Sequence, residues 1–146
     1  MKTLFPIKED HKAKCFIIDA SGQALGRLST KASKLLRGKE TPYFTPGVDQ
    51  GNFVFILNAE KIEISGKKKI QKIYYRHSQK PGSLKMETFT QLKNRIPKRI
   101  IEKAIWGMLP KGVLGRNYYR RLFVLSDTNI SFQKELESND WIKVNY

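Results

Sequence analysis

Cysteine is almost absent from this sequence, and histidine is scarce. Cys15 is the only cysteine among 146 residues, which excludes a disulfide framework and a thiolate cluster for a metal ion. It lies in an apolar run, so we expect a small buried side chain rather than a reactive thiol. The two histidines, His11 and His77, have no partner at the spacing of a metal site or a catalytic triad. We therefore expect neither a metal nor a catalytic site.

Long apolar runs are also lacking. No stretch approaches the roughly 20 apolar residues that are needed to cross a bilayer. The N-terminus has no apolar signal region, and Glu9 and Asp10 come too early for a transit peptide. We therefore expect no membrane partner, and we expect the protein to be made in the compartment where it acts.

Glycine motifs that bind phosphate or dinucleotides are missing. Gly66 precedes three lysines but lacks the spacing of a phosphate-binding loop, and Gly22 and Gly26 lack the dinucleotide fingerprint. Glu60 and Glu63 lack the surrounding pattern of a metal site. The sequence therefore predicts no cofactor, no small-molecule substrate and no enzymatic activity. An RNA-modifying enzyme is the weaker alternative.

Acidic residues are depleted from one long segment, which contains nearly all of the net charge of +15. Residues 67–121 contain 16 basic and 2 acidic side chains, whereas residues 1–66 contain 10 and 7 and residues 126–146 contain 2 and 4. Such an excess is self-repulsive unless a polyanion neutralises it. The segment 67–121 is therefore predicted to bind nucleic acid, whereas the acidic end is not.

Strands and helices alternate along the chain, which favours an α/β fold with helices packed on a sheet. The predicted strands or extended segments are Cys15–Ala20, Phe53–Ala59 (covered on both faces), Ile70–Arg76 and Leu122–Leu125. Apolar residues at helical spacing predict a helix from Ala24 that stops at Gly38, with Arg27 and Lys31 on its polar face. Two more helices flank Pro97, and the apolar stripe of the second one continues to Met108.

One string, Gly107-Met108-Leu109-Pro110-Lys111-Gly112-Val113-Leu114-Gly115-Arg116, resembles the signature of the L13 family of bacterial-type large-subunit ribosomal proteins. Other segments resemble the same family in the same order. They are Asp19-Ala20, Leu25-Gly26-Arg27-Leu28-Ser29, Thr45-Pro46, Leu57-Asn58-Ala59-Glu60-Lys61, Ser65-Gly66-Lys67-Lys68 and Tyr75-Arg76-His77-Ser78. The resemblance spans roughly residues 12–125.

The resemblance implies a three-layer α/β/α fold with a small, mainly parallel sheet, irregular basic loops and terminal arms. It also implies a protein that sits on large-subunit rRNA, joins early in assembly and has no catalytic site. The positions that the resemblance assigns to RNA are Lys67, Lys68, Arg76, His77, Lys111, Arg116, Arg120 and Arg121. The charge pattern adds Arg27, Lys31, Lys69 and Lys80.

Two segments depart from the family. The loop Gln79–Ser83 has fewer glycines than its relatives, and the usual histidine-containing tail is replaced by an acidic end. The stretch Lys85–Pro97 resembles cyanobacterial and plastid members. We therefore expect a ribosome of the plastid (chloroplast), with the bacterial cytoplasm as the alternative.

The sequence thus predicts a structural constituent of the large ribosomal subunit whose partners are rRNA and neighbouring ribosomal proteins. The expected organisation is an N-terminal arm (1–14), an RNA-binding domain (15–125) and an acidic extension (126–146). Five tyrosines beside the cations are candidates for stacking on unpaired bases, although core packing fits each of them at least as well: Tyr43, Tyr74, Tyr75, Tyr118 and Tyr119. A translational regulator that grips an mRNA leader with the same surface is a second hypothesis.

Overall fold

The computed structural model describes residues 12–126 and 141–144. Its main sheet is built from β1 (Cys15–Asp19), β2 (Phe53–Leu57), β5 (Leu122–Val124) and β6 (Trp141–Lys143). All neighbouring strands are parallel, and the strand order is β5-β2-β1-β6. A separate antiparallel ribbon consists of β3 (Ile73–Arg76) and β4 (Lys85–Thr88). The predicted α/β class and mainly parallel sheet are confirmed.

Helices connect the strands and begin and end where local chemistry favours it. They are α1 (Leu25–Arg37), α2 (Lys68–Gln71), α3 (Phe89–Arg95), α4 (Lys98–Met108) and α5 (Val113–Arg120). Helix α1 stops as predicted, because Gly38 adopts a φ of 74° and its N–H donates to the carbonyl of Leu35. Helix α3 starts with a reciprocal capping box between Thr88 and Gln91.

The core lies between one face of the sheet and helices α1 and α4. The strands contribute Phe16, Ile18, Val54 and Ile56; α1 contributes Leu28, Ala32, Leu35 and Leu36; and α4 contributes Ile100, Ile101 and Ile105. Cys15 is buried and free, as predicted. This packing holds α1 and α4 firmly, so polar side chains on their outer faces have fixed positions.

The expectation that β2 is covered on both faces is met only in part. Val54 and Ile56 are fully buried, but Phe53, Phe55 and Leu57 alternate with them and remain half-buried. Phe55 stacks on Phe123 with ring centroids 4.6 Å apart. The described residues therefore account for two of the three expected layers, the sheet and the helices α1 and α4.

The start of one strand and the burial of one side chain also differ from the prediction. The segment 70–76 does not begin as a strand, because Ile70 belongs to the short helix α2 and is 79% exposed. Met108 does not extend the apolar stripe of α4, since it is 42% exposed and the next residue, Leu109, is buried instead. Leu109 follows the buried Ile105 by about one helical turn, so its burial agrees with the expected apolar stripe.

The expected terminal segments fall largely outside the described residues. Only 12–14 of the predicted arm are described, and of the predicted acidic extension only Ser126 and residues 141–144. Strand β6 lies within that extension and pairs with β1, with Cys15 opposite Trp141. Part of the extension therefore belongs to the sheet.

Candidate nucleic-acid interface

The side chains that the sequence assigned to RNA are mostly on the surface. Ten of the twelve are exposed, and Lys31 and Arg121 are half-buried. Within 67–121 only Glu87 and Glu102 are acidic, so most of these cations have no nearby carboxylate in sequence. An exposed cation without a fixed partner is available to a phosphate.

One group of cations lies along α1 and on the neighbouring α2 segment, and we call it the α1–α2 patch. Arg27, Lys31 and Lys34 follow each other one turn apart along α1 and line a shallow hollow with Gly26 and the acidic Glu40. An adjoining hollow is also lined by Gly26 and adds Lys68 and Lys72. The structure thus brings residues from two distant segments onto one continuous surface.

A second group lies at the β3–β4 loop, where Arg76 ends β3 and His77 and Lys80 follow in the loop itself; all three are exposed. The His77 Nδ1 atom accepts the backbone N–H of Gln79 at 2.9 Å, which leaves Nε2 to carry the proton of the neutral ring. Gln79 has a φ of 69°. This loop, short of glycine, therefore makes a left-handed turn with a glutamine instead.

A third group lies on and before α5. Arg116 and Arg120 are one turn apart and exposed, on the side of α5 away from the buried Gly115 and Tyr118. The Lys111 Nζ donates to the carbonyl of Trp106 at 3.3 Å, near the C-terminus of α4. A cation at that place also stabilises the helix dipole, so Lys111 has a structural role as well as an exposed charge.

Arg121 differs from the other predicted contacts. Its two guanidinium nitrogens donate to the two carboxylate oxygens of Asp49, both at 2.8 Å. The two side chains are only 22% and 10% exposed, and the guanidinium lies 5.9 Å from the ring centre of Phe53. This pair fastens the loop before β2 to the end of α5, so the geometry gives Arg121 a structural role.

Arg120 and Arg121 are therefore expected to respond differently to the same substitution. Arg121→Gln should lower the free energy of unfolding by about 2 kcal/mol, because it leaves a shielded carboxylate without its charged donor. Arg120→Gln should change stability by less than about 0.5 kcal/mol but reduce the salt dependence of RNA binding by roughly one phosphate contact. Urea denaturation and a salt titration of each variant measure both effects. Equal stability of the two variants would contradict the structural role of Arg121.

Sequence reasoning missed a cluster on the outer face of α4. Arg99, Glu102, Lys103 and Trp106 line a hollow together with Tyr119 of α5. Their spacing of three or four residues places them on a second face of α4, away from the apolar stripe. Of the tyrosines, Tyr118 is buried in the core, whereas Tyr43 and Tyr75 are exposed and stay candidates for stacking.

Other kinds of site have no support in the part of the chain that the structure describes. Among residues 12–126 and 141–144, no group of three or more histidine, cysteine or acidic side chains is arranged to hold a metal ion. None of the helices within these ranges combines the length and the apolar character that crossing a membrane requires. The described surface is dominated by cations.

The fold and this surface define a basic α/β protein whose exposed cations are arranged around a rigid core. The comparison with family models matches residues 13–131 to "Ribosomal protein L13". The chain belongs to this family, which the sequence motifs had indicated.

Similar proteins include three that share the name "Large ribosomal subunit protein uL13". The one from a Synechococcus species is 52% identical over 127 residues, covering 87% of this chain and 85% of the relative. The one from Gloeothece citriformis is 48% identical over 134 residues, covering 92% and 89%. The one from a Synechocystis species is 52% identical over 123 residues, covering 84% and 82%.

Proposed function

We propose that this chain is a structural constituent of the large ribosomal subunit that binds large-subunit rRNA. The observation that carries the proposal is the set of exposed cations on the α1–α2 patch, the β3–β4 loop and α5. The cyanobacterial relatives are named as proteins of the large ribosomal subunit. The family membership and the surface charge therefore support the same function.

The proposed mechanism is neutralisation of phosphates at fixed positions. Each lysine or arginine that meets a phosphate releases condensed counterions, which drives binding without reading sequence. The guanidinium groups of Arg116 and Arg120 can engage two phosphate oxygens at once, which a lysine cannot. Because α1 and α5 pack into one core, the cations on these two helices hold the RNA segments they bind in a fixed relative arrangement.

The same arrangement supports an early role in subunit assembly. The three groups of cations come from α1 and α2, from the β3–β4 loop and from α5. A protein that contacts separate RNA segments through one rigid body lowers the entropic cost of bringing those segments together. We therefore propose that the chain binds rRNA before the neighbouring large-subunit proteins, which are its further partners.

We propose no catalytic activity, because the relatives are named as ribosomal proteins. The mRNA-leader hypothesis would use the same cations, and no observation favours it over rRNA. For the location we propose the ribosome of a plastid, with the bacterial cytoplasm as the alternative. The named relatives are cyanobacterial, which fits both.

Sedimentation of a tagged chain from its own cells tests the proposal. Nearly all of it is expected to travel with the large subunit after the subunits are separated at low magnesium, as judged by immunoblot. A tagged small-subunit protein serves as the control for clean separation. Recovery of the chain mainly in free fractions or with small subunits would contradict the proposal. Recovery on free mRNA would support the regulator instead.

A further inference from the structure

The outer face of α4 forms an open hollow of about 390 Å³ with one side chain from α5. Arg99, Glu102, Lys103 and Trp106 recur every three or four residues and therefore share one helix face. The core residues of α4 occupy its other face. The volume falls within the roughly 300–1,000 Å³ of ligand sites.

Two aromatic rings line this hollow. Trp106 and Tyr119 contact each other edge to face, with ring centroids 5.1 Å apart and planes inclined by 68°. Both side chains are half-buried, so part of each ring is accessible from the hollow. Burial, with a smaller contribution from the Glu102 carboxylate, raises the pKa of Tyr119, whose hydroxyl therefore stays protonated at neutral pH and remains a donor.

Cations surround the rings. Arg99 and Lys103 are exposed at the rim, and the Lys111 Nζ lies 5.6 Å from the centre of the Trp106 ring. Glu102 is the only acidic side chain among the residues that line the hollow. Folding does not require such a rim, because the buried side chains of α4 are on the other face. The charge of the rim fits a polyanion and does not fit a basic protein neighbour.

We propose that the Trp106–Tyr119 hollow holds an unpaired nucleobase of the bound RNA, an inference that rests on the proposed function. Recognition of unpaired RNA commonly combines stacking on aromatic rings with cations that follow the backbone. Trp106 supplies the stacking surface, and Arg99 and Lys103 neutralise the flanking phosphates. The Glu102 carboxylate accepts a hydrogen bond from an amino group on the base edge.

Fluorine NMR of the full chain labelled with 5-fluorotryptophan tests this inference. The signal of Trp106 is assigned from its disappearance in Trp106→Phe, which keeps an aromatic ring in the hollow. Adding large-subunit rRNA is expected to shift the Trp106 signal. Chemical probing of the bound RNA should show one unpaired base that the protein shields from modification. Binding measured by filter retention proceeds in parallel.

The outcomes separate the two proposals. Binding of rRNA without a shift of the Trp106 signal would overturn the nucleobase site and leave the proposed function intact. Failure to bind rRNA would overturn both proposals. A shift that arises only with total large-subunit protein, and not with RNA, would assign the hollow to a protein neighbour. It would overturn the nucleobase proposal.

A pair of aromatic substitutions adds a second measurement. Trp106→Leu is expected to weaken rRNA binding about tenfold, which corresponds to about 1.4 kcal/mol and lies within the range for loss of one stacked base. Phe123→Leu is the matched control and should leave affinity unchanged. The Phe123 ring is partly exposed and lies on the side of the sheet opposite to α4. Equal affinities of the two variants, both folded by their melting curves, would overturn the nucleobase site.

Discussion

Raising the salt concentration from about 50 to 200 mM is expected to weaken binding to large-subunit rRNA by roughly a thousandfold or more. Nine of the predicted contact residues are exposed lysines or arginines, and each phosphate neutralised adds about 0.9 to the slope of log affinity against log salt. Filter binding over a series of salt concentrations measures the slope. A slope near zero would mean that the cations only solvate the surface.

Substitutions on α5 identify which cations account for that slope. Arg116→Gln combined with Arg120→Gln should reduce it by about two phosphate contacts while leaving the melting temperature unchanged. Lys143→Gln, which removes one exposed cation at the end of β6, is the control and should leave the slope unchanged. A reduction in this control by half of that seen in the double variant would show that net charge, rather than a defined surface, governs binding.

Gly115→Ala is expected to destabilise the fold by about 3 kcal/mol or more, at or beyond the upper end of ordinary overpacking. A Cβ atom at Gly115 would overlap the carbonyl oxygen of Pro110, and this oxygen cannot move aside easily because it belongs to the backbone. Helix α5 packs this closely on the turn after α4 only because residue 115 has no side chain. Urea denaturation measures the loss.

Gly107→Ala is the matched control within the same sequence string. A Cβ atom there would meet no other atom within 4 Å, and the residue lies inside α4. Alanine should therefore stabilise the helix by about 0.5–1 kcal/mol through its better helix propensity. If both variants lost stability equally, the close approach of α5 to Pro110 would not be the reason for glycine at position 115.

Periodicity predicted α1, α3 and α4 because their buried faces repeat every three or four residues, whereas α2 and α5 were not predicted. The end of α1 at Gly38 and the start of α4 after Pro97 follow from local backbone preferences that few other residues share. These features depend on near neighbours in sequence.

Features that depend on distant partners were not predictable. A continuous apolar run could not show that Phe53 and Phe55 face a partly open side of β2, because exposure depends on what packs there. Charge counting treated Arg120 and Arg121 alike, since the carboxylate that engages Arg121 is 72 residues away. The hollow at Trp106 was missed because its second ring comes from another helix.

The pairing of β2 with β5 has a mechanical consequence. These strands are neighbours in the sheet, joined through Val54–Leu122, Phe55–Phe123 and Ile56–Val124. The segment 67–121 lies between β2 and β5 in the chain. Its two ends are therefore held together by the three residue pairs that join these strands. It also contains α4, whose isoleucines lie in the core. Any force on the cations of this segment is therefore carried into the packed interior and the centre of the sheet.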